Sequence, residues 1–451
     1  MSYQNYIPFH RLLVEIDIEK IPFFNHRSLE RKSSSFKINY SAIHAFIKYI
    51  REANASRIFI LSEDRCFLLT VILAALQLDK EVYLPHTSAP NLLKELLQET
   101  DLLLTDQDSF VTALDINLTE VSTTFKVLDP DLAKITFYTS GSTGKPKAIT
   151  KTLIQLETEV TTLFNLWGKH SFNFLSTVPP YHIYGFLFSL LWPICSGQGL
   201  FQFTFSNWEE VCQHLNTQSV LISSPSYLSR IPPYIREEET TKPALIFSSG
   251  ALLSFSAAQM SEKSFGSLPI EVYGSTETGG IAYRQQINET TPWQAFSNIE
   301  IALGVDECLK IKSPYLDVPD FLQTEDRIQL LDTKKFNLLG RQDRIVKIEG
   351  KRISLIEIET RLLVQGTLKE VIALPIQWSY REEVGIIAIL SEEGEGIIKA
   401  SGRPQFIEHL KGYLRLYFDP ILIPRKWRFV SHIPVNSQGK YLYSDLKLHF
   451  Q

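Results

Sequence analysis

Thr139-Ser140-Gly141-Ser142-Thr143-Gly144-Lys145-Pro146-Lys147 follows directly on the apolar, strand-like run Ile135-Thr136-Phe137-Tyr138. A loop this rich in glycine and hydroxyls offers backbone N–H and side-chain O–H donors to phosphate oxygens, and its lysines add positive charge. It is not a Walker loop. The spacing G-x-x-x-x-G-K-[ST] is absent and Pro146 follows the first lysine, which counts against a phosphate-loop NTPase or kinase.

Outward from this loop, strands and helices alternate. Arg57–Leu61 reads as a buried strand, Phe67–Leu78 as a helix, and Glu81–Leu84 as a strand ending at Pro85. Val220–Ile222 and Ala244–Phe247 are further strands that run into Ser/Pro/Gly-rich loops. Apolar runs separated by helices predict parallel sheets covered on both faces, with ligands at the loops after the strand ends. Near residue 340 the texture changes. A last segment holds strands at Ile345–Ile348, Val371–Leu374 and Gly385–Leu390 and helices at Leu355–Val364 and Phe406–Tyr417. The expected fold class is α/β. A large N-terminal domain of parallel-rich sheets flanked by helices (1–340) precedes a small, mobile α+β C-terminal domain (341–451).

The chain of 451 residues is 44% hydrophobic and 21% charged, which fits a folded protein of two or three domains. A formal net charge of −5 argues against a nucleic-acid partner. Cys66, Cys195, Cys212 and Cys308 lie far apart with no metal-ligand spacing, and Met1–Lys20 holds no signal-peptide apolar stretch, so reduced thiols and a cytoplasmic setting are expected. Asn117-Leu118-Thr119 is then a chance glycosylation triplet. Ile183–Phe201 is free of charge, but Gly185, Pro193, Gly197 and Gly199 interrupt it. It reads as a buried helix ending near Pro193, then a turn and a strand, rather than a membrane span.

The remaining motifs fall in one order along the chain. They are Ala75-Leu76 through Pro85, Val178–Phe186 with Pro179-Pro180-Tyr181-His182, Ser248-Ser249-Gly250-Ala251, and Tyr273-Gly274-Ser275-Thr276-Glu277. Asp306–Tyr315, Thr324-Glu325-Asp326, Gly340–Glu359 and Pro434–Lys440 complete the series. Together with the opening loop, this series resembles the adenylate-forming superfamily: acyl- and aryl-CoA synthetases, firefly luciferase and nonribosomal adenylation domains. Four positions depart from the pattern. Asp79 and Lys80 stand in a usual glycine neighbourhood, Ala148 replaces a glycine, and Glu325 stands where the family has glycine.

The resemblance implies ATP-dependent activation of a carboxylic acid to an acyl-adenylate, then transfer to a thiol. By that resemblance Thr139, Ser140, Gly141, Ser142, Thr143, Gly144, Lys145 and Lys147 hold the β- and γ-phosphates. Glu277 ligates Mg²⁺ and Thr276 contacts the α-phosphate. Ser249, Gly250, Ala251, Tyr273, Gly274 and Ser275 meet the adenine and acyl groups. Asp326 takes the ribose hydroxyls with Arg341 in support, and Arg352 is a further phosphate contact. Lys440 bridges the attacking carboxylate and the α-phosphate, a role suited to an ammonium on a long stem. Asp343 is the hinge about which the small domain turns between the two half-reactions. His182 is a gating or positioning group, a base, or a core histidine.

Ile183, Tyr184 and Phe186, with Ala251 and Gly274, are the expected acyl-pocket residues and point to an aryl or short-to-medium aliphatic acid. Tyr181–Phe186 carries no acidic residue, which excludes the ammonium contact of amino-acid-activating members. A compact chain of this length also resembles ligases of aryl-polyene gene clusters. The acceptor is CoA or the phosphopantetheine thiol of an acyl carrier protein. The competing reading is a non-catalytic relative that binds an adenylate as a partner protein.

Overall fold

The computed structural model describes residues 6–25, 38–85, 90–107, 124–140, 146–168, 170, 172–232, 234–235, 241–288, 290–341, 345–378, 381–433 and 443–450. The chain divides into two compact units. The larger comprises Met1–His86, Gln98–Tyr138 and Ala148–Gln342. The smaller comprises Thr87–Leu97, Thr139–Lys147 and Asp343–Gln451.

The larger unit is organised by helices that are apolar on nearly every side. Arg65–Gln77 is the clearest case, with every residue from Arg65 to Leu76 buried. Such a helix has to be covered all round, here among sheets and other helices. Its start is fixed by Asp64, whose carboxylate accepts the N–H groups of Cys66 (2.9 Å) and Phe67 (3.2 Å). On one side runs a five-stranded sheet in the order Leu102–Thr105, Arg57–Leu61, Glu81–Leu84, Lys134–Ser140 and Pro146–Thr152. Its first four strands are parallel, so the phosphate-type loop connects two neighbouring strands at one edge.

The second sheet has twelve strands and two textures. Phe23–Phe24, Gly199–Phe201, Asn173–Ser176, Ser219–Ser223, Leu245–Ser249 and Ile270–Ser275 are neighbours in that order and all parallel. From Ile270–Ser275 onward the pairing turns antiparallel, through Gly279–Gln285, Trp293–Ala295, Lys335–Arg341, Leu322–Leu330, Cys308–Lys312 and Glu300–Leu303. Half of this sheet is thus parallel, in keeping with the expected parallel-rich fold. The other half is a meander whose strands alternate exposed and buried residues, as in Leu322–Leu330, because one face meets solvent.

The uncharged stretch is a helical run inside this unit: Ile183–Phe186, a π-helical turn Leu187–Leu191, and Trp192–Cys195, followed by the Gly199–Phe201 strand. The run ends at Cys195, two residues beyond Pro193, with the expected turn and strand after it. Among the described residues, no helix is long and apolar enough to cross a membrane. All four cysteines are free thiols.

In the smaller unit, Ile345–Ile348 and Lys351–Ser354 form a hairpin whose turn places Glu349 (φ +49°) and Gly350 (φ +82°) in the left-handed region. A three-stranded sheet follows, ordered Leu368–Trp378, Arg381–Leu390 and Lys426–Phe429. The two-residue period of its strands feeds two cores. Val371, Ala373, Ile386 and Ala388 join Ile358, Leu362, Phe406, Leu410 and Leu414 on one face. Ile372, Leu374, Ile376 and Ile387 join Leu446 and Phe450 on the other.

Candidate active site

The parallel strands Asn173–Ser176, Ser219–Ser223, Leu245–Ser249 and Ile270–Ser275 are in register at their carboxyl ends: Ser176 with Ile222, Ser223 with Ser248, Ser249 with Val272. The segments carrying three of the sequence motifs leave from these ends, side by side. Loops beyond the carboxyl ends of parallel strands are where ligands of such sheets lie.

Each exit is held by its own hydrogen bonds. Thr177 pairs its hydroxyl with that of Ser223 at 2.9 Å. The Ser249 hydroxyl donates to the Val272 carbonyl at 2.7 Å, and Gly250 takes φ +99°, a conformation that suits glycine. Ala251 is half-buried beside it. The Leu253 N–H donates to the buried Glu271 carboxylate (3.0 Å), which Arg284 (2.8 Å) and Gln286 (2.6 Å) also hold.

The next exit is a bulge. The antiparallel register between Ile270–Ser275 and Gly279–Gln285 shifts between Tyr273 and Gly274. A Cβ at Gly274 would lie 2.2 Å from the Gly279 carbonyl oxygen, so only glycine fits there. Ser275 and Thr278 close the turn: Ser275 N–H donates to Thr278 Oγ1 (3.0 Å) and Thr278 N–H to Ser275 Oγ (3.2 Å). Thr276 and Glu277, at the tip, are half-buried. Lys151, buried, donates to the Glu277 carbonyl at 2.7 Å, and burial lowers its pKa from the ordinary lysine value.

Tyr273 meets Asp326. The phenol donates to Asp326 Oδ2 at 2.5 Å, and Asp326, nearly buried, pairs in the sheet ladder with Arg341. Glu325 faces neither a glycine turn nor a break: Thr324, Glu325 and Asp326 lie within the continuous strand Leu322–Leu330. The Tyr273 ring centroid stands 5.5 Å from that of Trp293 and 5.8 Å from that of Phe336, which fixes the phenol.

His182 caps the Ile183–Phe186 helix without a side-chain cap bond, and its ring lies 4.8 Å from that of Tyr181. Ile183 is half-buried, while Phe186 is fully buried, edge-on to Phe137 at 5.4 Å. Tyr184 packs on Phe188 at 4.8 Å. Its hydroxyl is buried beside the Ser223 backbone without a hydrogen bond of ordinary geometry, and burial raises its pKa well above the usual value. The Ser248 hydroxyl, on the register partner of Ser223, is equally buried and unpartnered.

Of the phosphate-type loop, the Thr139 hydroxyl lies 3.5 Å from the Lys147 carbonyl, Ser140 is the last strand residue, and Lys147 is exposed. Gly141, Ser142, Thr143, Gly144 and Lys145 lie outside the described residues, as do Asp343 and Lys440. Arg352 is half-buried in the small unit's hairpin, paired across the ladder with Lys347.

Two buried cations escaped the sequence reading. Lys151 is one and Arg65 is the other. Arg65, 1% exposed, donates from Nε (3.1 Å) and Nη2 (3.0 Å) to Ser189 Oγ and from Nη2 to the Val178 carbonyl (3.0 Å). Burial pushes its pKa down to about 10, so it stays charged at neutral pH. No local signal marks Lys151: Gln155, Glu159 and Thr162 repeat at i, i+4 and i+7 on the helix after it, but Glu157, Thr158, Thr161 and Asn165 are polar as well.

A family model described as AMP-binding enzyme matches residues 43–311, more than half of the chain. The chain belongs to that family. The AMP-binding enzyme is 23% identical over 318 residues to a 4-coumarate–CoA ligase of Cereibacter sphaeroides, covering 68% of this chain and 70% of the relative. Its fold is that of an amide bond synthetase from Marinactinospora thermotolerans (TM-score 0.76, 14% identity, 98% of this chain and 100% of that one). It is also that of an o-succinylbenzoate CoA synthetase from Bacillus subtilis (TM-score 0.75, 17% identity, 98% of each chain). The AMP-binding enzyme is thus an adenylate-forming ligase with a large sheet-rich N-terminal part and a smaller C-terminal part.

Proposed function

We propose that this chain condenses an aryl carboxylic acid with ATP, releases pyrophosphate, and passes the acyl group from the adenylate to a thiol of CoA or of a carrier protein's phosphopantetheine. The observation that carries the reading is the contact of Tyr273 with Asp326 beside the exits of four parallel strands. An adenine ring fits along Tyr273 and the Ser249–Ala251 turn, and the Asp326 carboxylate offers two acceptors to a ribose diol. Thr276 then reaches the α-phosphate and the Thr139–Lys147 loop takes the β- and γ-phosphates. Lys440 neutralises both the attacking carboxylate and the α-phosphate, catalysis by positioning and charge. Asp343 serves as hinge, and Arg341 and Arg352 as supporting cations. His182 positions the acid, since an already ionised carboxylate needs no base.

Among the described residues, no group of three or more His, Cys, Asp or Glu is arranged to hold a metal. A single carboxylate, Glu277, with nucleotide phosphates fits Mg²⁺, which keeps several waters and binds few protein groups. Bound there, Mg²⁺ would offset charge on the phosphates; the chain's part is to aim Glu277.

An aryl acid with a polar ring substituent is favoured by the Tyr184 and Ser248 hydroxyls. Each is buried unpaired at a cost of about 1–3 kcal/mol, which a ligand hydroxyl would recover. The test is pyrophosphate release with ATP and Mg²⁺ across aryl and aliphatic acids, with CoA or a holo carrier protein supplied separately. Acid-dependent release establishes the reaction. Nucleotide binding without release on any acid would replace this reading by that of a binding protein.

A further inference from the structure

The helix Leu153–Trp167 and the residue pair before it form a buried polar frame behind the Gly274–Gly280 loop. Lys151, 4% exposed, donates from Nζ to two backbone carbonyls at 2.7 Å, those of Glu277 and Tyr315. Glu159, 5% exposed, accepts the Gly280 N–H at 2.7 Å. Gly279 (φ +68°) leaves room for both: a Cβ there would stand 2.7 Å from Glu159 Oε2 and from the Tyr315 ring.

The frame itself is tied down. The Tyr315 hydroxyl donates to Thr162 Oγ1 (3.1 Å), and Asn298 Nδ2 donates to both Tyr315 OH (2.9 Å) and Thr162 Oγ1 (3.0 Å). Gln155 Nε2 donates to Asp317 at 2.7 Å. The loop is therefore gripped on both sides of Thr278, by an ammonium at the Glu277 carbonyl and a carboxylate at the Gly280 N–H. A buried ammonium is costly to desolvate, and the Glu159 and Asp317 carboxylates near it, with the two carbonyls, offset part of that cost while fixing it in one place.

We infer that Lys151, held by the Glu159 frame, is a positioning residue that fixes the peptide following Glu277 and so aims the Glu277 carboxylate at the metal–nucleotide. This rests on the reading of Glu277 as the metal ligand. A carbonyl clamped at 2.7 Å leaves the Glu277 backbone little rotation, and a ligand pre-aimed in this way loses less entropy when the ion arrives. The frame's hydrogen bonds run to the Glu277–Gly280 loop, Tyr315, Asn298 and Asp317, so the effect is expected in the adenylating half-reaction.

The experiment uses the full chain as wild type, Lys151→Met, Lys151→Arg and Lys151→Gln. Acid-dependent ATP–pyrophosphate exchange is titrated with Mg²⁺. Binding of Mn²⁺ in the presence of the non-hydrolysable analogue AMPCPP is followed by electron paramagnetic resonance. Thiol transfer is measured from a supplied acyl-adenylate. Lys151→Met is expected to raise the half-saturating Mg²⁺ and the Mn²⁺ dissociation constant in parallel by about tenfold or more, the worth of hydrogen bonds from a charged donor. Transfer from the adenylate stays within about twofold, and Lys151→Arg restores most of the metal affinity. A folded Lys151→Met with the wild-type metal requirement, or with equal losses in both half-reactions, overturns the inference. Should Lys151→Met not fold, Lys151→Gln, which keeps an N–H₂ donor without the charge, is read in the same way. A wild type silent in exchange would refute the proposed function, while the Mn²⁺–AMPCPP comparison would still decide the role of Lys151.

Discussion

Replacing Arg65 by methionine removes the cation that ties the Arg65–Gln77 helix to the expected acid-binding segment. Two of its donors converge on Ser189 Oγ, which passes the link on by donating to the Gly185 carbonyl at 2.7 Å. A third contact reaches the Val178 carbonyl at 3.0 Å. Arg65 thus holds both ends of the stretch that carries His182, Ile183 and Tyr184. The cost follows from what remains after the change. Val178 O keeps the Ser176 hydroxyl at 2.8 Å, and Gln202 O, which Arg65 Nη1 also reaches at 3.5 Å, keeps the Arg65 backbone N–H at 3.0 Å, so neither carbonyl is orphaned. The full penalty of about 3–5 kcal/mol for breaking a buried ion pair is therefore not reached. Losing the charge-assisted bonds sets the loss nearer about 2–3 kcal/mol, read as a lowered urea midpoint. Loosening the segment should also raise KM for the acid by about tenfold and leave KM for ATP unchanged, since misplacement of about 1 Å is expensive in a positioned site. A loss under about 1 kcal/mol with an unchanged acid KM would refute the anchoring argument, and so would an equal rise in both KM values.

Lys440→Ala should lower adenylate formation by about 10²–10³-fold while thiol transfer from a supplied acyl-adenylate continues; equal loss in both steps would remove its assigned role. The ratio of kcat/KM for 4-hydroxybenzoate over benzoate should exceed one and shrink by about tenfold in Tyr184→Phe, and a preference for octanoate over both would redirect the substrate class. Glu357 is buried in the small unit, and burial, against the pull of Arg361, raises its pKa to about 8. Its folded pKa lies above the unfolded value of 4.5, so the stability it contributes is present below pH 4.5 and is lost as pH rises toward 8. Glu357→Gln should accordingly raise Tm at pH 8 and change it little at pH 5, and an unaltered slope between those values would contradict the burial argument.

Much of the frame was legible because period and motif agree. Arg57–Leu61, Glu81–Leu84, Ile345–Ile348 and Leu355–Val364 fall where the apolar runs put them, and Gly274 sits in a bulge that only glycine can occupy. Lys151 and Arg65 were illegible for one reason. A basic residue beside an apolar run reads as solvated, and only the fold shows that carbonyls and hydroxyls from distant segments receive it. The grouping of Thr87–Leu97 and Thr139–Lys147 with the small unit depends on contacts between segments far apart in the chain, which local pattern does not encode.

The shortest strand of the large sheet, Phe23–Phe24, covers the apolar strand Gly199–Phe201 at one end of the sheet. Phe23 and Phe24 pair with Leu200 and Phe201, and the Phe24 ring fills the space that Gly199 leaves by lacking a side chain. Without that strap the strand Gly199–Phe201, apolar and buried at every position, would become the sheet's open edge. Unpaired N–H and C=O groups beside exposed leucine and phenylalanine invite a second copy to add its own strand. Because the strap comes from the start of the chain and its partner lies far downstream, that edge stays open until the intervening chain has folded. Clumping during refolding, more than lost activity, is the failure to expect when those first residues are trimmed or mispaired.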